Sequence, residues 1–132
     1  MDPKKNKKVA GSFKTPTVKV DFRFDVVEYE ENGLTVIYSP ALDLFGYGKT
    51  AKKAQESFTL TLEEYLRYTT NKNTFFADLR QHGWKVEKKK QNIKVNPPSF
   101  DKIVSGNEQF QEIFNHKDFK KFNINREVAF PA

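Results

Sequence analysis

The segment YSPALDLFGYGKTAKKAQESFTLTLEEYL, residues 38 to 66, reads as a short extended run, a Gly-punctuated turn and an amphipathic helix in direct succession. Gly46 and Gly48 mark the end of extended chain. Thr50 occupies an N-cap position, where its hydroxyl can accept from a free helical N–H, and Ala54, Phe58, Leu62, Tyr65 and Leu66 follow at helical spacing. The spacing predicts a helix from 51 to about 69. Its apolar stripe needs a sheet to cover.

Upstream, Val18, Val20, Phe22, Phe24 and Val26 alternate with Lys19, Asp21, Arg23 and Asp25, the period-2 pattern of a strand with one buried face. Glu30, Glu31, Asn32 and Gly33 supply turn chemistry, and Leu34 to Tyr38 resumes as a β-branched and aromatic run, so residues 18 to 38 read as a hairpin. Pro40 stops that ladder because it has no N–H to donate. A third short strand is expected over Ala41 to Tyr47.

Downstream of the helix, Thr74 stands where a second short helix begins, Phe75, Phe76 and Leu79 form its apolar side, and Gly83 suits the left-handed position after its end. Trp84 with Val86, and Ile93 with Val95, read as a small hairpin closed by a Lys-Lys-Lys-Gln turn and stopped by Pro97 and Pro98. Ser99 and Asn107 can each cap a short helix, the second carrying Phe110, Ile113 and Phe114. Val128 and Phe130 can form a terminal strand before Pro131. The aromatics Phe100, Phe110, Phe114, Phe119 and Phe122 require burial on the body or across a subunit interface. The expected class is α+β, an antiparallel β-β-β-α-β core with one main helix on the sheet, a short second helix and a mixed extension. Residues 1–17 have the composition of a disordered basic tail, 18–99 form the core and 100–132 the extension.

The 132 residues suit one domain of ordinary size, and the 13 Phe, 5 Tyr and one Trp supply large core pieces despite a mean hydropathy of −0.74. The net charge of +6 is unevenly spread. Residues 1–20 hold six Lys against one Asp, residues 85–94 five Lys against one Glu, and residues 21–84 carry more acid than base. Any nucleic-acid contact therefore rests on Lys4, Lys5, Lys7, Lys8, Lys88, Lys89 and Lys90, not on a basic face spread over the sheet. With no Cys, disulfides and thiolate chemistry are excluded. The opening MDPKKNKKVAG lacks the apolar core of a signal peptide and no apolar run nears the roughly 18 residues of a membrane span, so the reading is cytoplasmic with no membrane contact.

No catalytic constellation emerges, and no cofactor or metal is expected. Gly48, Lys49 and Thr50 look like the end of a phosphate-binding loop, but the position that needs the first Gly is Asp43, whose carboxylate repels phosphate. Asp21 and Asp25 read as the solvated side of a half-buried strand and not as a carboxylate cluster for Mg²⁺. His82 and His116 belong to no ligand-spaced cluster, and Ser39 lacks the setting of a nucleophile elbow. Gly46, Gly48 and Thr50 are read as turn and cap residues.

In residues 29 to 66 the order of features resembles the HicB-like antitoxin family. A hairpin is followed by a Ser-Pro-x-Leu step, here Ser39, Pro40 and Leu42, then by a turn with Gly46, Gly48 and Thr50. A helix with Ala54, Phe58 and Leu62 comes next and runs into Leu-Glu-Glu-Tyr-Leu. Gly83, Trp84 and the Pro97, Pro98, Ser99 step extend the likeness, which covers residues 20 to 99. It implies a truncated ribonuclease-H-like core without catalytic carboxylates. It also implies a non-enzymatic role, binding and inhibiting a small HicA-like toxin that cleaves mRNA, usually as a homo-oligomer. This chain departs from the family pattern at Lys52 and Lys53, where acidic residues are usual, and residues 100 to 132 read as neither of the DNA-binding segments many members append. The alternative is a nucleic-acid-binding or regulatory protein that uses the basic tail and the Lys-rich turn. A vestigial Mg²⁺-dependent nuclease built on Asp21 ranks third.

Overall fold

In a computed structural model that describes residues 17–89 and 92–131, the alternation that begins at Val18 runs on into one long strand, β1 (Thr17–Glu31). Val20, Phe22, Phe24 and Val26 are buried on one side while Lys19, Asp21 and Arg23 face water. Asn32 and Gly33, with φ of 55° and 80°, form the two-residue turn whose twist matches the strands it joins. β2 (Leu34–Ser39) returns antiparallel, setting Tyr29 opposite Val36 and Val27 opposite Tyr38.

β3 (Leu44–Gly48) begins later than the expected Ala41, because residues 40–43 turn first. The Ser39 carbonyl accepts from Leu42 N at 3.3 Å and Asp43 N at 2.7 Å, and Asp43 adopts φ 58°, a left-handed conformation that Asp tolerates. α1 (Ala51–Asn71) follows, with Thr50 Oγ1 accepting from Lys53 N at 3.2 Å and Ala54, Phe58 and Leu62 buried. Gly46 and Gly48 lie inside β3, not in a turn, and what they provide is space. A Cβ on Gly46 would meet Phe58 Cα at 2.6 Å, and one on Gly48 the Lys53 carbonyl carbon at 2.6 Å. The helix backbone rests directly on the strand.

α2 (Phe75–Gln81) ends at Gly83, whose φ of +87° is the left-handed exit. β4 (Lys85–Lys89) and β5 (Asn92–Asn96) form a separate two-stranded sheet; Lys90 and Gln91 of the expected turn lie outside the described residues. α3 (Phe100–Gly106) and α4 (Glu108–His116) are capped by Ser99 and Asn107, which accept from Lys102 N and Phe110 N.

The terminal strand differs most from expectation. β6 (Lys120–Pro131) is twelve residues long and pairs antiparallel with β1 from Thr17 opposite Pro131 to Glu28 opposite Lys120. The sheet order is β3-β2-β1-β6, so the fold is α+β, with a four-stranded antiparallel sheet and helices on both faces. One core joins the even positions of β1 to α1, α2, Trp84 and Val95. On the opposite face Val27, Tyr29, Val36 and Tyr38 pack with Phe110 and Ile113 of α4. No helix among the described residues is long and apolar enough to cross a membrane.

The contact between helix and glycine strand is checked by substitution. Gly48→Ala should lose about 3 kcal/mol in denaturant unfolding, because its new methyl meets backbone that cannot yield. Gly106→Ala, where nothing lies within 4 Å of an added Cβ, should stay within about 0.5 kcal/mol of the parent.

Candidate binding surfaces

The turn after β2 organises a polar cleft. Tyr38 is fully buried, and its hydroxyl donates to Asp43 Oδ1 at 3.0 Å while accepting from Asn107 Nδ2 at 2.9 Å. The other side-chain atom of Asn107 caps α4, so one amide joins helix, phenol and carboxylate. Beside this relay opens a cleft of about 680 Å³ lined in part by Pro40, Asp43, His82, Lys102 and Glu108. Trp84 Nε1 donates to the Ala41 carbonyl at 2.8 Å and ties the strap before β4 to the same turn. A second phenol is held similarly: Tyr65 donates to Asp78 Oδ2 at 2.5 Å. The His82 ring lies 2.9 Å from the Asp78 carbonyl, within the last turn of α2.

Burial pushes the Tyr29 phenol up to about 12, with Glu31 and Tyr47 adding to the effect. Burial is also the first cause that raises Tyr38; Asn107 opposes it and Asp43 reinforces it. Tyr65 is raised by burial and by the hydrogen bond to Asp78. All three phenols are held protonated, and those of Tyr38 and Tyr65 donate to carboxylates. The cleft can recognise a polar group through Asp43, His82, Lys102 and Glu108.

A second surface is the outer side of α1. Leu60 and Tyr68 are 69% and 63% exposed, two turns apart on one face. Glu64 stands between them and makes a two-pronged bond with Arg67 Nη2 at 2.6 and 2.7 Å, and Glu56 and Glu63 are exposed nearby. Tyr47, 52% exposed, ends an aromatic row in which Tyr38 stacks on Phe45 at 4.3 Å and Phe45 on Tyr47 at 6.0 Å.

The residues singled out in the sequence fall at several places. Thr50, Gly46 and Gly48 position α1. Ser39 Oγ is fully buried and has no hydrogen-bond partner among the described residues, so no substrate reaches it. Asp21 faces water opposite Glu127, and Asp25 receives Asn123 Nδ2 at 3.2 Å with Lys121 Nζ at 3.9 Å. No group of three or more His, Asp or Glu among the described residues is arranged to hold a metal ion. Lys88 is exposed, its Nζ 5.8 Å from the centre of the Phe76 ring. Lys4, Lys5, Lys7, Lys8 and Lys90, and the Lys89 side chain, lie outside what is described. The Tyr38–Asp43–Asn107 relay escapes sequence reading because Asn107 comes from another element; the only local signal is an Asp five residues after a Tyr.

In comparisons with known proteins, no family model, no curated protein and no solved structure matches the chain.

The phenols set an alkaline limit on stability. Each is held protonated above its ordinary value of 10.0, so the unfolded chain loses these protons first as pH rises. Their contribution is intact below about pH 10 and falls as pH climbs through about 12. Tyr38→Phe should cost about 1–3 kcal/mol at neutral pH, since it leaves Asp43 and Asn107 without their shared partner. It should also lose less than the parent between about pH 9 and about pH 12. Urea titrations at several pH values measure both.

Proposed function

We propose that this chain is a non-enzymatic protein-binding module that acts as a HicB-like antitoxin, holding a small HicA-like toxin. The observation that carries the reading is the outer face of α1. Two large apolar side chains, Leu60 and Tyr68, stand in water on a rigid helix and are flanked by Glu56, Glu63 and Glu64. Arg67 pairs with Glu64 on the same face and Arg126 reaches Glu63, so the charge there is mixed with an acidic excess, which favours a basic partner, while the Leu and Tyr side chains supply contact area. A basic, RNA-handling partner fits that description. The Ser39, Pro40, Gly46, Gly48 and Thr50 pattern supports the reading from the sequence side, because each of those residues serves to position α1 or the turn before it.

Co-expression with the product of an adjacent small gene, followed by pull-down, tests the proposal. Leu60→Glu and Tyr68→Ala should each weaken capture at least about tenfold, the loss of a central contact worth about 1.4 kcal/mol or more. Both should leave thermal unfolding nearly unchanged, since neither side chain is buried. No captured partner and no relief of toxicity would overturn the antitoxin reading.

The nucleic-acid alternative has one described feature in its favour, the exposed Lys85, Lys88 and Lys94 of the β4–β5 hairpin. It expects duplex DNA affinity to fall with salt by about 0.9 in log K per log salt for each phosphate neutralised. Removing residues 1–17 should then lower both affinity and slope; an unchanged titration argues against the tail.

A further inference from the structure

The two edges of the main sheet are treated differently. At β3, α1 packs over the strand on Gly46 and Gly48 and takes up one of its backbone groups, Tyr47 N–H donating to Ser57 Oγ at 3.1 Å. β6 is hydrogen-bonded to β1 on one side, and among the described residues no strand pairs with its other side. Along it runs a groove of about 290 Å³, floored by Val26 and Ile37 and walled by Phe58, Phe122 and Ile124. Phe122 is 43% exposed. A long open edge beside an apolar strip is the requirement for strand addition.

We propose that β6 pairs antiparallel with β6 of a second copy, about a two-fold axis through Ile124, joining two four-stranded sheets into one of eight strands. The charge order of the strand selects both the occupant and the register. With the axis at Ile124, Lys121 lies opposite the second copy's Glu127, Phe122 opposite its Arg126, and Ile124 opposite itself. An axis at Asn123 would set Lys120 against Arg126, an axis at Arg126 would set that cation against itself, and an axis at Asn125 would pair no charges. Each end of the Lys121–Glu127 contact already has an opposite charge in its own sheet. Lys121 is 3.9 Å from Asp25, and Glu127 is 3.8 Å from Lys19. Pairing therefore completes an alternating row of Asp25, Lys121, Glu127 and Lys19 across the junction, twice by symmetry. Such a network outweighs the isolated surface pairs it contains. On the α1 side, Ile124 and Phe122 lose their exposure. The inference stands on the edge and its charge order, independent of the antitoxin reading.

The sequence holds no Cys, which permits a test free of background cross-linking. In an antiparallel pair, directly opposed residues have Cα atoms about 4.5–5.5 Å apart, within disulfide reach. Ile124→Cys in the full chain under mild oxidation should form a covalent dimer at least about tenfold faster than Leu60→Cys, whose cysteines meet only by collision. Sedimentation equilibrium should show a dimer for the parent chain, weakened about tenfold or more by Lys121→Glu or by Glu127→Lys and regained in part in the double reversal, where each reversed charge faces a like charge of its own sheet, Asp25 or Lys19. Equal cross-linking rates, or a parent chain that stays monomeric at all concentrations, would overturn the proposal. A double reversal that dimerises no better than either single variant would overturn the register.

Discussion

Val26 and Val27 are consecutive, point to opposite sides of β1 and are both closed off from water. Before this point the strand buries only its even positions, against α1, α2 and Trp84; after it, Val27 and Tyr29 bury the odd side against α4. A single strand thus carries two cores that meet at one peptide bond. β2 must sit beside the second half of β1, since Val36 and Tyr38 complete the odd-side core while Ile37 completes the other. β6 pairs with the opposite edge of β1, from Thr17 to Glu28, and overlaps the stretch that β2 pairs with only at Val27 and Glu28. The open charged side of residues 19–25 follows from the same arrangement: α3 and α4 reach only the hairpin end of the sheet.

The second core is smaller and more aromatic than the first, and it is joined to the sheet by polar bonds. Phe100 packs edge-on to Phe110 at 5.2 Å, and Phe114 bridges Phe110 and Phe119. Aromatic packing supplies area, and the Asn107–Tyr38–Asp43 relay supplies direction, because a buried hydroxyl left without partners costs about 1–3 kcal/mol. α4 is therefore held to the sheet by a directional hydrogen bond as well as by apolar contact.

The helix and the hairpin were legible because their signals are local: Asn32-Gly33 for the turn, Thr50 for the cap, and a 3.6-residue recurrence from Ala54 to Leu66. The fold class followed from them. The start of β3 was not, since Asp43 in a left-handed conformation extends the turn past Pro40, and no simple pattern distinguishes that from extended chain. β6 extends further than its sequence signal: Phe122, Ile124 and Val128 share its period, but Arg126 interrupts the apolar row; register sets it opposite Phe22 on the α1 side, where its guanidinium reaches Glu63 at 3.6 Å. For the candidate surfaces, the glycines were visible but their purpose was not, because crowding by a helix backbone is a tertiary fact. Leu60 and Tyr68 pass in the sequence as ordinary helix residues, and only their exposure separates them from Leu62 and Tyr65.

The pairing of β1 with β6 also sets an order of events during synthesis. Val20 finds its partner only when Val128 has been made, which at ordinary ribosomal speeds of 5–20 residues per second takes about 5–20 s. Throughout that interval the hairpin, α1 and their shared core can assemble, while one flank of β1 stays without its ladder. The nascent chain therefore passes through a stage with an uncapped, half-apolar strand at its border. Arrival of β6 closes that stage and covers the flank.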